Sequence, residues 1–152
     1  MILISHRGNI DGVLGERENT LSYIDEAINA GYHVEIDMRI KEGCPFLGHD
    51  APEYKVALEW LLTRKSKLWI HAKDTEALVY CKENDLNYFF HEKEKQTLIS
   101  NGLVWTHDLE HATKYSVVPL ISVKLSREQM SKFMNCYGLC SDYVGHYKRI
   151  LG

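Results

Sequence analysis

From His33 to Lys41 apolar and charged residues alternate without a break, Val34, Ile36, Met38 and Ile40 against Glu35, Asp37, Arg39 and Lys41. A period of two is the signature of a strand, and it sends Glu35 and Asp37 out of one face, two residues apart. Any strand with one wet face reads the same way, so the pattern alone does not make a site. After a turn at Glu42-Gly43 the stretch closes on Gly48-His49-Asp50. Two neighbouring carboxylates repel, and one must take up a proton unless a cation lies between them. With a histidine close behind, the stretch is a starting point for metal-assisted hydrolysis.

The remaining pattern switches between short apolar runs and helical spacing. Met1 to Ser5 predicts a buried strand, followed by a polar loop to Glu18. Asn19 or Thr20 then caps a helix through Leu21, Ile24, Ala27 and Ile28, which stops at Gly31. Val56 to Lys65 predicts a short helix, Lys67 to Lys73 a third strand, and Asp74 or Thr75 the start of a helix through Ala77, Leu78 and Cys81. A fourth strand is predicted over Tyr88 to His91, with a charged helix from Glu92 to about Ser100. A fifth runs from Leu103 to His107, with a short helix over Leu109 to Lys114. The sixth covers Pro119 to Leu125. Ser126 and Gln129 form a capping box for a helix that buries Met130, Phe133 and Met134. Leu139 to Val144 is a last strand and Tyr147 to Leu151 a terminal helical turn.

Strands alternating with helices imply right-handed βαβ units and a parallel sheet. Such a sheet is either open and doubly wound or closed. Two features favour closure. Polar residues recur on single faces (Glu35, Asp37 and Arg39; His71 and Lys73; Ser122 and Lys124), and no glycine-rich nucleotide turn follows the first strand. Barrels of this kind usually need at least about 200 residues, and this chain has 152. The expectation is one α/β domain over residues 1–152, a compressed parallel (β/α) TIM-like barrel with about seven strands, short helices and a strand missing or vestigial.

Composition narrows the function. A net charge of −3 and a pI near 6.2 give no bulk attraction to nucleic acid or anionic membrane. No apolar run is long enough to span a bilayer, and Ile2-Leu3-Ile4 is too short for a signal peptide, so a cytoplasmic protein without membrane insertion is expected. Cys44, Cys81, Cys136 and Cys140 lack zinc-site spacing and read as reduced, mostly buried thiols. The last two are a four-residue step apart, which on a helix would share a face. Nothing here sets the oligomeric state.

Four pieces stand in order: HRG at 6–8, ENT at 18–20, VEIDMR at 34–39 and GHD at 48–50. Together they resemble the glycerophosphodiester phosphodiesterase family, within the phosphatidylinositol-specific phospholipase C-like barrels. Beyond residue 50 the resemblance thins but continues through IHAK at 70–73, LVWTHD at 103–108 and GLCSDYV at 138–144. The large insertion usual after the His-Asp is absent, so an open cleft is expected. The chain also departs at two positions. His71 stands where the family has a third metal carboxylate, and Arg17 replaces the proline before Glu-Asn-Thr.

The resemblance implies a small-molecule phosphodiester as substrate and a divalent cation, Mg²⁺ or Ca²⁺ with Mn²⁺ possible. Glu35 and Asp37 would hold the cation, with His71 either a third ligand or a neighbour. His6 and His49 would be the general acid–base pair, suited to it by an ordinary pKa near neutrality. Arg7 and Lys73 would bind phosphate oxygens. Glu18 would support the site near the metal or the glycerol. The alternative is a catalytically silent phosphate- or sugar-phosphate-binding module on the same fold. His91, His107, His111 and His146 lie outside the motifs and read as ordinary polar residues. Trp60, Trp69, Tyr88, Phe89, Phe90 and Phe133 read as core.

Overall fold

The computed structural model describes every residue, Met1–Gly152. In chain order the elements are β1 (Ile2–His6), α1 (Leu21–Asn29), β2 (His33–Lys41), β3 (Cys44–Leu47), β4 (Tyr54–Lys55), α2 (Leu58–Arg64), β5 (Leu68–Ala72) and α3 (Thr75–Glu83). Then follow β6 (Tyr88–Phe89), β7 (Gln96–Leu98), β8 (Val104–Thr106), β9 (Ser116–Pro119), α4 (Arg127–Met130), β10 (Gly138–Ser141) and α5 (Val144–Leu151).

Seven of the strands pair in parallel, in the order β6-β5-β2-β1-β10-β9-β8. The sheet curls until its ends meet. Ser100 N donates to Tyr88 O at 2.8 Å, Thr97 Oγ1 donates to Phe90 O at 2.8 Å, and the Phe89 and Trp105 rings stack 4.4 Å apart across the seam. The fold is thus a mixed α/β fold with a curled sheet. It is not purely parallel, because β3 and β4 extend β2 as antiparallel strands and β7 runs antiparallel to β8.

The period-two pattern sorts the core into layers. Val34, Ile36 and Met38 of β2 and Leu68, Ile70 and Ala72 of β5 point outward, packing under α1 and α3 with Ile24, Ala27, Ala77 and Cys81. Each fully buried aliphatic side chain contributes roughly 1.5–3 kcal/mol. The alternate positions point inward. Ile4, Trp69, Val117 and Cys140 fill the lower interior, and the next residues along the same strands, His6, His71 and Asp142, rise above them beside Glu35 and Asp37. A third cluster joins Met130, Phe133, Leu139 and Tyr147 beneath the capping box, whose two reciprocal hydrogen bonds are both present.

Several boundaries differ from the sequence expectation. The charged helix over Glu92 to Ser100 does not form. Thr97 and Ile99 face inward while Gln96 and Leu98 face solvent, a strand period, and Thr97 ties the segment to β6. The sixth strand is Ser116–Pro119, so Ser122 and Lys124 lie in the following loop; its apolar run is Val117-Val118, paired with Trp105 and Leu139. The helix over Leu109 to Lys114 is a single 3₁₀ turn, Leu109–His111. The last strand ends at Ser141, and α5 starts at Val144, ahead of the predicted Tyr147. Cys136 and Cys140 share no helix, since the second lies in β10; all four thiols are free. Burial pushes the Cys81 thiol up to about 12, which makes it inert. The β2–β3 hairpin turns at Glu42 and Gly43, both at positive φ, the mirror-image turn that fits twisted strands.

Candidate metal and phosphate site

The HRG tripeptide leaves β1 through two left-handed residues, Arg7 at φ +56° and Gly8 at φ +99°. A Cβ on Gly8 would stand 2.6 Å from the Tyr23 ring, so glycine is required there for space as well as for φ. The kink points the Arg7 side chain across the top of β2, with Nε 2.9 Å from Asp37 Oδ2 and Nη1 donating to Glu18 Oε2 at 3.1 Å. A non-glycine residue in this conformation stores strain that the surrounding contacts must hold. Here the Arg7 N–H donates to Glu35 O and the Asn19 N–H to Arg7 O.

Asn19, in the ENT motif, is likewise left-handed at φ +61°. Its amide reads both ends of Asp37, donating to Oδ2 at 3.0 Å and accepting from the Asp37 N–H at 3.0 Å. The motif is therefore a clamp on the carboxylate. Glu18 uses its two oxygens on Arg7 and Asn9. It anchors the Arg7 guanidinium, and with His6 and Asp142 it also forms a second cluster whose ligand atoms lie close enough to hold a metal ion.

Glu35 and Asp37 are almost wholly buried, and Glu35 Oε2 and Asp37 Oδ1 find no hydrogen-bond partner. His71 completes the group, with Nδ1 3.4 Å from Asp37 Oδ1 and 3.8 Å from Glu35 Oε1. Its Nε2 lies 3.0 Å from the His91 carbonyl oxygen, an acceptor, so that nitrogen carries a proton. Nδ1 is then reconciled with the two acids by a proton, on the imidazole or on Glu35, or by a cation. Orphaned acidic oxygens and an imidazole nitrogen converging on one point fit a divalent ion. Burial, and then the charge of Asp37, raise the Glu35 pKa to about 7. Burial acts upward on Asp37 too, but His71, Arg7 and Asn19 outweigh it and hold that carboxyl below the usual range.

His6 Nδ1 lies 2.7 Å from Asp142 Oδ1, which also accepts from Asn9 Nδ2 at 2.8 Å. The carboxylate fixes the tautomer, so Nε2 turns to the cavity, 3.9 Å from Glu35 Oε2. Burial lowers the His6 pKa, but the Asp142 hydrogen bond and the Glu35 charge together raise it above its ordinary value.

His49 arrives on a tethered loop. The Gly48 N–H donates to Asp37 O at 3.0 Å, and a Cβ on Gly48 would collide with the Ala51 carbonyl. Arg39 grips the Gly48 and His49 carbonyls, and His49 Nδ1 pairs with Asp50 Oδ1 at 2.7 Å on the exposed rim. His6, Arg7, Glu35, His49 and His71 line one cavity of about 150 Å³. Lys73 does not line it; its Nζ stands 3.9 Å from Asp37 Oδ1, on the edge of the acidic pair.

Sequence reasoning missed Asp142, Asn9, Arg39 and two histidines of the cavity wall, His91 and His107. Asp142 lay inside a resembling segment, without a role. His91 and His107 follow β6 and β8 by one or two residues. Parallel strands deliver such positions to one mouth, as β1 delivers His6.

No protein-family model matches the chain, and no curated protein matches it. Two solved structures do. A glycerophosphodiester phosphodiesterase from Thermotoga maritima superimposes with a TM-score of 0.60 at 16% identity, over 98% of this chain and 97% of that one. A protein from Galdieria sulphuraria, whose assignment as a glycerophosphodiester phosphodiesterase is itself provisional, gives 0.57 at 13% identity, over 99% and 98%. The likeness is one of fold. It extends over nearly the whole of each chain.

Proposed function

We propose that the chain is a metal-dependent phosphodiester hydrolase of the glycerophosphodiester phosphodiesterase family, acting on a small glycerophosphodiester-type substrate. The observation that carries this reading is the convergence of Arg7, an Asp142-bound His6 and the orphaned oxygen of Glu35 at one cavity, with Asp37 held behind them against Arg7 and His71. Two buried carboxylates beside Arg7 would repel a phosphate unless a cation lay between them, which supports a metal-dependent reading over bare phosphate binding.

Glu35, Asp37 and His71 would hold the cation, which when bound polarises the phosphoryl group and eases deprotonation of an attacking hydroxyl. Arg7 binds phosphate oxygens through its fork, kept flat by Glu18 and Asp37. His6 Nε2 takes the proton of the attacking hydroxyl, the substrate's own or that of water, while Asp142 holds the ring and stabilises the imidazolium. The P–O bond to the leaving alcohol breaks, and His49, oriented by Asp50, gives the alkoxide its proton. Lys73 contributes positive charge at the edge of the site.

A second reading, a silent phosphate-binding module, draws on the imidazole of His71 in place of a carboxylate. Turnover of bis(p-nitrophenyl) phosphate and glycerophosphoglycerol with Mg²⁺, Ca²⁺ or Mn²⁺, each against EDTA, separates the two. A hydrolase shows metal-dependent release, and His49→Ala lowers turnover of glycerophosphoglycerol by roughly 10²–10⁴-fold but that of bis(p-nitrophenyl) phosphate far less, since nitrophenolate leaves without a proton. Phosphate binding without turnover in any metal would instead establish the module.

A further inference from the structure

The half of the cavity away from Glu35 carries no fixed charge. Its wall is formed by Phe89, His91, Trp105, His107, Pro119 and Ile121. His91 and His107 face each other there, ring centroids 4.7 Å apart and planes tilted by 49°. His91 Nε2 lies 2.9 Å from the Glu94 carbonyl oxygen. A carbonyl only accepts, so Nε2 carries a proton and Nδ1 is the acceptor of that tautomer. No protein group bonds to that nitrogen or to the His107 ring.

On the phosphodiesterase reading phosphate lies at the Arg7 end, so this wall meets one of the two groups it is esterified to. Two classes of group are disfavoured by what the wall contains. A second anion finds no lysine or arginine. A quaternary ammonium is recognised on open aromatic faces, yet the Phe89 ring is stacked on both His71, at 4.9 Å and 13°, and Trp105, at 4.4 Å and 18°. What remains unpartnered is the His91 Nδ1 acceptor and, on His107, one acceptor and one N–H, a set that a group bearing an O–H or N–H can meet and a fully alkylated one cannot.

We infer that His91 and His107 form a specificity subsite for the alcohol beyond the phosphate, accepting one that bears a further O–H or N–H donor and discriminating against a fully alkylated one. The inference rests on the phosphodiesterase reading and deepens it. It also qualifies the expectation of an unselective open cleft, because the selecting wall comes from the ends of β6 and β8 and not from a roof after Asp50. The His91 backbone carbonyl holds His71, so replacing the His91 side chain leaves the metal-side contact in place.

The decisive comparison uses glycerophosphoethanolamine and glycerophosphocholine, which differ only in N–H donors against methyl groups, with glycerophosphoglycerol as the hydroxyl case. Wild type should favour the ethanolamine and glycerol diesters over the choline diester by about tenfold in kcat/KM, the value of one net hydrogen bond at its upper end. His91→Phe and His107→Phe should bring the three together, while the rise in Tm that a divalent cation induces stays as in wild type. His91→Gln, which keeps an acceptor, should retain part of the preference. Calorimetric binding of phosphoethanolamine and phosphocholine gives the same comparison without turnover. Equal values for the pair in wild type, or a preference unchanged in both Phe variants, overturns the subsite. If wild type neither hydrolyses any diester nor binds any phosphoester, the phosphodiesterase reading falls and the subsite with it.

Discussion

Asp142→Asn isolates what charge contributes to His6. Both contacts to Asp142, from His6 at 2.7 Å and from Asn9 at 2.8 Å, land on the same oxygen, Oδ1. An asparagine oriented with its carbonyl there keeps both acceptors and removes only the negative charge. The His6 pKa, raised above its ordinary value against the opposing effect of burial, must then fall. A base works when deprotonated, so the acid limb of kcat/KM should move to lower pH. The plateau should drop about 10- to 100-fold, because a weaker base accepts a proton less readily and the imidazolium loses its partner. Asp142→Ala removes the acceptor as well, frees the ring to turn, and leaves the buried Asn9 Nδ2 with Glu18 as its one acceptor. Its plateau should be lower still, with about 1–3 kcal/mol of stability lost, or several degrees in Tm for a chain of this size. The assay is a pH–rate profile at saturating cation, which holds Glu35 ionised, with a thermal melt beside it. An acid limb that stays put in Asp142→Asn, with an unchanged plateau, would refute the assignment of His6 as base oriented by Asp142.

Three further outcomes follow from the geometry. His71→Glu supplies a hard oxygen where an imidazole nitrogen now points at Glu35 and Asp37, so calorimetry should show Ca²⁺ and Mg²⁺ binding tighter relative to Mn²⁺; affinities unchanged for all three ions would mean residue 71 is no ligand. Glu35 has a folded pKa near 7, above its unfolded value, so it contributes stability that is present below about pH 4.5 and lost as pH rises towards 7. A divalent cation must displace that proton, so the cation-induced rise in Tm should be larger at pH 8 than at pH 6, and equal shifts would contradict the assignment. Gly8→Ala sets a Cβ 2.6 Å from Tyr23 at a φ of +99°, and chemical denaturation should show a loss of roughly 1–3 kcal/mol together with misplacement of Arg7.

What was legible in the sequence is what local patterning controls. The alternation in β2 placed Val34, Ile36 and Met38 against the helices and Glu35 and Asp37 inside, and the capping box at Ser126 formed as written. The segment Glu92–Leu98 misled because four alternating charges suit an exposed helix. Its inward residues, Thr97 and Ile99, are two apart, and the bonds from Thr97 to Phe90 and from Ser100 to Tyr88 fix it as a strand. The site was legible only where a motif repeats a local constraint. HRG is readable because a left-handed kink needs its glycine, and ENT because a left-handed asparagine can clamp Asp37. Asp142, 136 residues from His6, and the facing pair His91 and His107 meet only through the curl of the sheet. The same curl explains how His71 can occupy a carboxylate's place. Its ring is stacked on Phe89, its Nε2 is held by the carbonyl of His91, and its Nδ1 is thereby aimed at both acids. Read as a one-residue departure, His71 suggests a weakened site. Seated among these contacts, its Nδ1 is orientated towards both acids in advance, so under the proposed function it would complete an N,O,O site, a donor set that favours softer divalent ions than three carboxylates would.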